Sequence, residues 1–228
     1  MFLPALRAVA TSVAEAVFPH FCVSCGDEGA VLCDDCDLEV ETLGSGIFGL
    51  PEEGGTLAID SLASALPYAQ RVPRILLQLY KYERVEEAGA AVAEVFGRFV
   101  RRNEERFCVL AKDAVVVPVP MHPWKEAGRG FNQADTLAAV FAVEAGARLV
   151  RGVLRRRFGM TPQVGMKDRD ARGRNAEGSV RVSGKFPPGM RFILIDDVCT
   201  TGATLNACAV ALKRAGAGEV HAVTFLRG

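Results

Sequence analysis

The run FILIDDVCTTGAT at residues 192–204 constrains this chain more than any other stretch. Phe192 to Ile195 is a short unbroken apolar run, the pattern of a strand buried on both faces. Asp196 and Asp197 then set two carboxylates at the strand's carboxyl end. Adjacent acids are poor sheet formers unless something uses them. Thr200 to Thr204 is small and hydroxyl-rich, contains Gly202, and runs into a helical pattern at Leu205, Ala209 and Leu212. A strand, a tight turn and a helix start make an anion site, because free backbone N–H groups and the positive end of the helix point at one spot. Thr200, Thr201 and Thr204 add side-chain donors. The stretch therefore suits a ligand carrying a phosphate with a pair of hydroxyls beside it.

The chain around this motif alternates strand and helix patterns. Val115 to Val117 reads as a second buried strand, stopped by Pro118 and Pro120, which force an extended exit. A loop follows at Met121 to Lys125, and Arg129 to Ala134 opens a helix carrying Leu137, Val140 and Phe141. Leu149 to Leu154 and Val220 to Leu226 read as further strands, with Leu205 to Ala215 as the helix before the last, ending at Gly216 or Gly218. This predicts an α/β fold with a parallel sheet and flanking helices, and a ligand at the strands' carboxyl ends near a switch in strand order. Upstream, Ser61 to Tyr68 reads as an edge strand, Val72 to Tyr80 as a helix with Pro73 at its start, and Val85 to Arg106 as a second helix. Leu43 to Gly55 is glycine-rich and reads as a linker.

Four cysteines stand in the pattern Cys22-x2-Cys25-x7-Cys33-x2-Cys36. Paired knuckles of this kind let each pair grip one tetrahedral metal, with Zn–S bonds of about 2.3 Å. A span so short has no core of its own, so the metal would supply its folding energy. The competing readings are disulfides or redox thiols; a disulfide framework needs an oxidising compartment, of which the sequence gives no sign. We read a structural zinc, with no open coordination position for catalysis. Cys108 and Cys208 sit among apolar residues and read as core.

Lys plus Arg equals Asp plus Glu, 27 each, so only the distribution of charge is informative. Between Arg7 and Arg71 there is no Lys or Arg while acids accumulate, which argues against a DNA-binding ribbon at the cysteines. From Arg148 to Lys185 eleven basic residues face Asp168, Asp170 and Glu177, a region that would attract polyanions. Within it, Arg155 to Glu177 lacks sustained apolar periodicity and reads as a basic lid. No run approaches the length of a transmembrane helix. At the N-terminus Leu3, Leu6, Val9, Val13 and Val17 recur at helical spacing, and Arg7 and Glu15 interrupt the apolar content, so we expect an amphipathic helix ending near Pro19 and a cytoplasmic protein without membrane insertion.

Residues 192–204 resemble the phosphoribosyl-pyrophosphate (PRPP) motif of type I phosphoribosyltransferases. That resemblance implies that Asp196 and Asp197 hold the ribose hydroxyls and act in catalysis. It also implies that the loop of Cys199, Thr200, Thr201, Gly202, Ala203 and Thr204 cradles the 5′-phosphate; Cys199 stands where the family usually has an aliphatic residue. The four cysteines, Lys81-Tyr82, VPVPMHP at 117–123, RGFNQA at 129–134 and IDDVCTTGAT at 195–204 together resemble the ComF family, competence-associated proteins with a type I phosphoribosyltransferase domain. The likeness implies a pyrophosphate loop at Pro120, Met121 and His122, with Lys81 and Arg129 as nearby cations. After the lysine–aromatic pair the family often has a basic residue and a glycine; here Glu83 and Arg84 stand instead. The chain then divides into a helix and zinc module at 1–42, a linker at 43–60, a hood-like region at 61–110 and a phosphoribosyltransferase-like core at 111–228.

Two functions follow as expectations. One is an enzyme that binds PRPP with magnesium and transfers phosphoribosyl to a nitrogenous acceptor. The other is a non-catalytic partner in DNA transformation, binding a nucleotide ligand or single-stranded DNA beside a helicase-like competence protein. The Arg148–Lys185 region lacks interleaved aromatics apart from Phe158, which favours the first.

Overall fold

Unbroken apolar runs build the centre of the molecule, seen here in a computed structural model that describes residues 21–42, 46–50, 57–83, 85–156 and 179–228. Strands β1 (Ile47–Phe48), β2 (Ser61–Pro67), β3 (Ala114–Pro118), β4 (Arg148–Leu149), β7 (Arg191–Cys199) and β8 (Val220–Arg227) form one sheet in the order β1-β2-β8-β7-β3-β4. Every neighbouring pair is parallel except β1 with β2. Along β7, Ile193 and Ile195 enter one hydrophobic cluster and Phe192 and Leu194 the other, so both faces of the sheet are covered.

Helices α2 (Arg71–Gln78), α3 (Glu86–Arg102), α4 (Glu104–Ala111) and α6 (Gln133–Glu144) contribute to the first cluster, and α7 (Ala203–Arg214) to the second. Leu76, Phe96, Phe99, Phe107 and Phe141 are the large side chains that helices bring to the first face. The cysteine module, with α1 (Asp34–Thr42), joins that face through Val31 and Val40 and through Arg98, which grips the Asp37 carboxylate with two bonds of 2.7 and 2.6 Å. A short helix α5 (Pro123–Arg129) follows β3. Among the described residues no helix is long and apolar enough to cross a membrane.

Several local expectations are corrected. Strand β7 does not stop at Ile195: β8 continues beside it, pairing Asp196 with Thr224, Val198 with Leu226 and Cys199 with Arg227. The aspartates therefore stand inside the strand's last turn of pleat. The strand expected at 149–154 is two strands in different sheets. β4 ends on β3, the chain turns at Gly152 (φ +76°), and β5 (Leu154–Arg156) pairs antiparallel with β6 (Val180–Val182). Ser61 to Tyr68 is not an edge, since β1 pairs outside β2. The helix expected at 85–106 breaks at Asn103, whose side chain donates to the Phe99 carbonyl at 2.9 Å. Cys208 is buried as expected, but Cys108 is exposed on α4. The expected N-terminal helix, Arg84, most of the expected linker, and residues 157–178 of the expected lid lie outside the described residues.

Candidate active site

Strand order reverses direction between β3 and β7: β3 is followed outward by β4, and β7 in the opposite sense by β8. Such a switch point opens a crevice at the strands' carboxyl ends. There the chain leaves β3 through Val119 and Pro120 and leaves β7 through Thr200 to Gly202. The Val119 N–H bonds the Ile195 carbonyl at 2.9 Å and Asn132 donates to the Val119 carbonyl at 3.0 Å, so the two exits are tied together.

Successive residues of a strand face opposite sides, and this splits the acidic pair. Asp197 shares the face of Ile193 and Ile195, where Lys81 reaches it with Nζ 2.8 Å from Oδ2. Asp196 shares the face of Phe192 and Leu194, toward α7 and the β5–β6 ribbon. Burial, and then the charge of Asp197, push the Asp196 carboxyl up to about 7; the Asp197 N–H at 2.8 Å and the charges of Lys81 and Arg156 oppose that rise. Both aspartates keep partial solvent access. Arg156 also donates from Nε to the Pro120 carbonyl at 3.0 Å. Each carboxylate thus has a cation near it, from separate parts of the chain.

The 200–204 loop closes the same corner. Gly202 adopts φ +75°, a conformation that favours glycine, and starts α7 with no side-chain cap. The Ala203 N–H has only a long 3.4 Å contact to Thr201 Oγ1, and among the described residues no protein acceptor meets the Thr204 or Leu205 N–H. Thr200 and Thr201 are exposed and Thr204 is half-buried. Cys199 is buried, which raises its thiol and leaves it a small apolar filler.

The remaining expected residues fall around this corner. Pro120 and Met121 line a cavity of about 860 Å³ with Arg151, Arg155, Arg156 and Arg181. His122 caps α5, its Nδ1 accepting from the Trp124 N–H at 3.4 Å. Arg129 does not reach the acidic pair; its guanidinium lies 4.7 Å over the Tyr82 ring and donates to Gln133 at 3.0 Å. Lys81 sits in a π-helical turn, Leu79–Glu83, a local geometry common at functional sites. Tyr80 anchors that turn through Thr136 (2.8 Å) and Phe131 (ring centroids 4.7 Å). Gly89 makes room for the Tyr80 ring: a Cβ there would stand 2.6 Å from it. Sequence reading missed Arg156, Asn132 and Tyr80 as site-builders. Arg156 was visible only as one of a basic run and Asn132 only as a member of RGFNQA, and Tyr80 has no local pattern that marks it.

In the cysteine module, the Sγ atoms of Cys22, Cys25, Cys33 and Cys36 all lie within 4.8 Å of one another and form no disulfides. Cys25 and Cys33 sulfurs are 3.7 Å apart, which is near the roughly 3.8 Å edge of a tetrahedron with 2.3 Å metal–sulfur bonds. Burial raises the Cys22 thiol, yet N–H groups of Cys33, Cys25 and Ser24 outweigh it and bring it down to about 6. The donor set and spacing fit a four-thiolate metal centre.

Residues 127–228 match the phosphoribosyl transferase domain. Competence protein F of Haemophilus influenzae is 30% identical over 149 residues, 64% of this chain and 64% of that protein. Competence protein ComFC of Bacillus subtilis is 32% identical over 138 residues, 59% of this chain and 54% of that protein. The alignments thus span under two thirds of these relatives' own lengths. Among solved structures, adenine phosphoribosyltransferase from Saccharomyces cerevisiae is similar at a TM-score of 0.40 and 13% identity, over 84% of this chain and 88% of that one, too loosely to carry an argument. Over residues 127–228 the chain is thus similar to the phosphoribosyl transferase domain, and over about 60% of its length to the ComF-type competence proteins.

Proposed function

We propose that this chain binds PRPP with Mg²⁺ and transfers the phosphoribosyl group to a nitrogenous acceptor, in a protein tied to DNA uptake. The observation that carries this reading is the corner itself: two carboxylates at a switch point, each with a cation near it, beside a helix start with free N–H groups. In this reading Asp196 and Asp197 hold the ribose hydroxyls, and residues 199–204 take the 5′-phosphate. During transfer the bond from the anomeric carbon to pyrophosphate breaks, positive charge builds on the ribose, and the acceptor nitrogen bonds to that carbon. The protein acts by placement and by charge: the carboxylates lie under the cationic sugar, while Lys81, Arg156 and the Pro120–His122 loop face the departing pyrophosphate. Mg²⁺ bound with PRPP would supply positive charge at the leaving pyrophosphate. We assign zinc to the four cysteines. Reduced thiols and a phosphorylated ligand suit the cytoplasm.

Calorimetry with PRPP and Mg²⁺ tests the reading. Wild type should bind, and Asp196→Asn with Asp197→Asn should abolish binding. No heat from the wild type, or equal affinity in the double variant, would refute it.

The arginines lining the cavity beside Pro120 favour a second reading, a path for single-stranded DNA handed on by a helicase-like competence protein. It predicts oligonucleotide binding that weakens with salt and is lost in Arg155→Ala with Arg181→Ala. Absence of binding at low salt rules it out.

A further inference from the structure

We propose that the cavity at the amino ends of β2 and β8 is a second ligand site, built for a small molecule with an apolar body and one carboxylate, which Arg106 receives. The cavity has a volume of about 420 Å³ and lies between helix α4, the end of β1 and the starts of β2 and β8. It is separate from the acidic corner. His221 lines it near the start of β8, whereas Arg227 pairs with Cys199 at the far end of that strand, roughly 20 Å away at about 3.3 Å per residue.

The walls are apolar and already fixed. Phe48, Leu62, Phe107, Val109 and Leu110 line the cavity. Phe107 is fully buried, its ring edge-on to Phe99 and to Phe141 with centroids 5.3 Å apart in each pair. Gly49, next to Phe48, donates to the Leu62 carbonyl at 3.0 Å and accepts from Arg227 at 2.7 Å. The end of α4 is tied to β7, where the Lys112 carbonyl accepts from Arg191 at 3.2 Å. A cavity formed in advance, apolar with a few polar groups, is the usual form of a small-molecule site and costs a ligand little ordering.

The charge left over in the lining is positive. Arg191 and Glu219 pair at 2.8 Å and cancel. His221 meets Ser61 Oγ through Nδ1 at 2.8 Å, and burial lowers its pKa, so the ring is neutral at pH 7. That leaves Arg106. Its guanidinium lies 4.0 Å over the Phe48 ring and, among the described residues, meets no carboxylate. A guanidinium stacked on an aromatic face keeps its N–H edge available, and its planar fork suits a carboxylate in two parallel bonds. One negative charge balances the site; the second charge of a phosphate would have only apolar wall to meet.

The test is calorimetry on the full chain with octanoate as probe. Octanoate should bind, and each methylene removed, through heptanoate to hexanoate, should weaken it about fourfold. Octan-1-ol, which lacks the charge, should bind about tenfold more weakly, and Arg106→Gln should bring octanoate down to that level. Val109 is 74% exposed, one helical turn from Arg106, so Val109→Glu spares the core while setting a competing carboxylate beside the guanidinium. It should weaken octanoate by a similar factor. No heat with octanoate, no dependence on chain length, or equal octanoate affinity in Arg106→Gln overturns the proposal. Competition between octanoate and ribose 5-phosphate, or loss of octanoate binding in Arg155→Ala with Arg181→Ala, would seat the anion elsewhere and overturn it equally.

Discussion

The two ends of the same sheet treat their charges in opposite ways. At the amino ends of β7 and β8, each charge has a partner that suits it. Asp60 accepts from the Val220 N–H at 2.7 Å and from Lys213 at 3.0 Å, and although burial works against it these partners bring its carboxyl below the usual range. Arg191 pairs with Glu219 at 2.8 Å and donates to the Lys112 carbonyl, and His221 meets Ser61 at 2.8 Å. At the carboxyl ends, Asp196 stands next to another aspartate and is pushed up to about 7. One edge pairs opposite charges, and the other sets two carboxylates side by side with Lys81 and Arg156 near them. Strain of that kind concentrates where ligands bind.

The strongest way to break this contrast is to neutralise the acidic corner. Asp196→Asn with Asp197→Asn should weaken ribose 5-phosphate binding by about 100-fold or more in calorimetry, given that charged hydrogen bonds are worth roughly 1.5–3 kcal/mol each. Its unfolding midpoint should not fall in proportion. Loss of stability without loss of affinity would mean the pair is structural.

Next in size is removal of the metal centre. Val31 and Val40 of the module are buried in the main core. A chelator, or Cys36→Ser, should lower the unfolding midpoint by on the order of 10 °C, since such modules fold on their metal. Ribose 5-phosphate affinity should stay within about twofold, because no cysteine of the module lies at the corner and binding energy there is local. A calorimetric titration alongside thermal melts separates the two effects.

Lys81→Met sharpens the contrast by leaving Asp197 without its cation. The unpaired acid should cost about 1–3 kcal/mol of stability, and the loss of Lys81 should raise the Asp196 carboxyl further. The pH at which ribose 5-phosphate binding reaches half strength, followed by calorimetry across a pH series, should move upward. A variant with unchanged stability and an unchanged pH profile would show the 2.8 Å contact to be incidental.

The smallest effect is a slope. Asp196 holds its proton more tightly folded than unfolded, so stability falls as pH rises from about 4 through about 7. Asp60 does the reverse: its contribution is present above the ordinary carboxylate range and lost as pH drops below it. Asp196→Asn should therefore raise the melting midpoint at about pH 8, by roughly 2–4 °C for each 1 kcal/mol relieved. Asp60→Asn should lower it at the same pH by an amount worth about 1 kcal/mol, because Asp60 is partly exposed and its ion pair is screened.

Where interactions are local in the chain, the sequence was enough to read them. The cysteine knuckles, the buried run before Asp196, the prolines at the end of β3 and just beyond it, and the glycine at 202 each declare their geometry within a few residues. Properties set by a neighbour across the fold were not legible. Strand β7 outruns Ile195 because β8 continues alongside, and nothing near Ile195 encodes where β8 ends. The split at Gly152 depends on a partner strand, β6, on the far side of the basic segment. Lys81 meets Asp197, and Tyr82 meets Arg129, across separate elements with no spacing to reveal them. Ser64 and Thr224, hydrogen-bonded at 2.7 Å within the sheet, likewise look like ordinary surface polar residues until β2 and β8 are paired.

The central claim is that the corner of Asp196, Asp197 and residues 199–204 holds a phosphorylated ribose. A crystal soaked with PRPP and Mg²⁺ tests it most directly. Density is expected with the 5′-phosphate against the N–H groups of the 200–204 loop and the ribose hydroxyls at the two carboxylates, with Lys81 displaced from Asp197. An empty corner, or a ligand found only among the arginines of the neighbouring cavity with the Lys81–Asp197 contact intact, would contradict it.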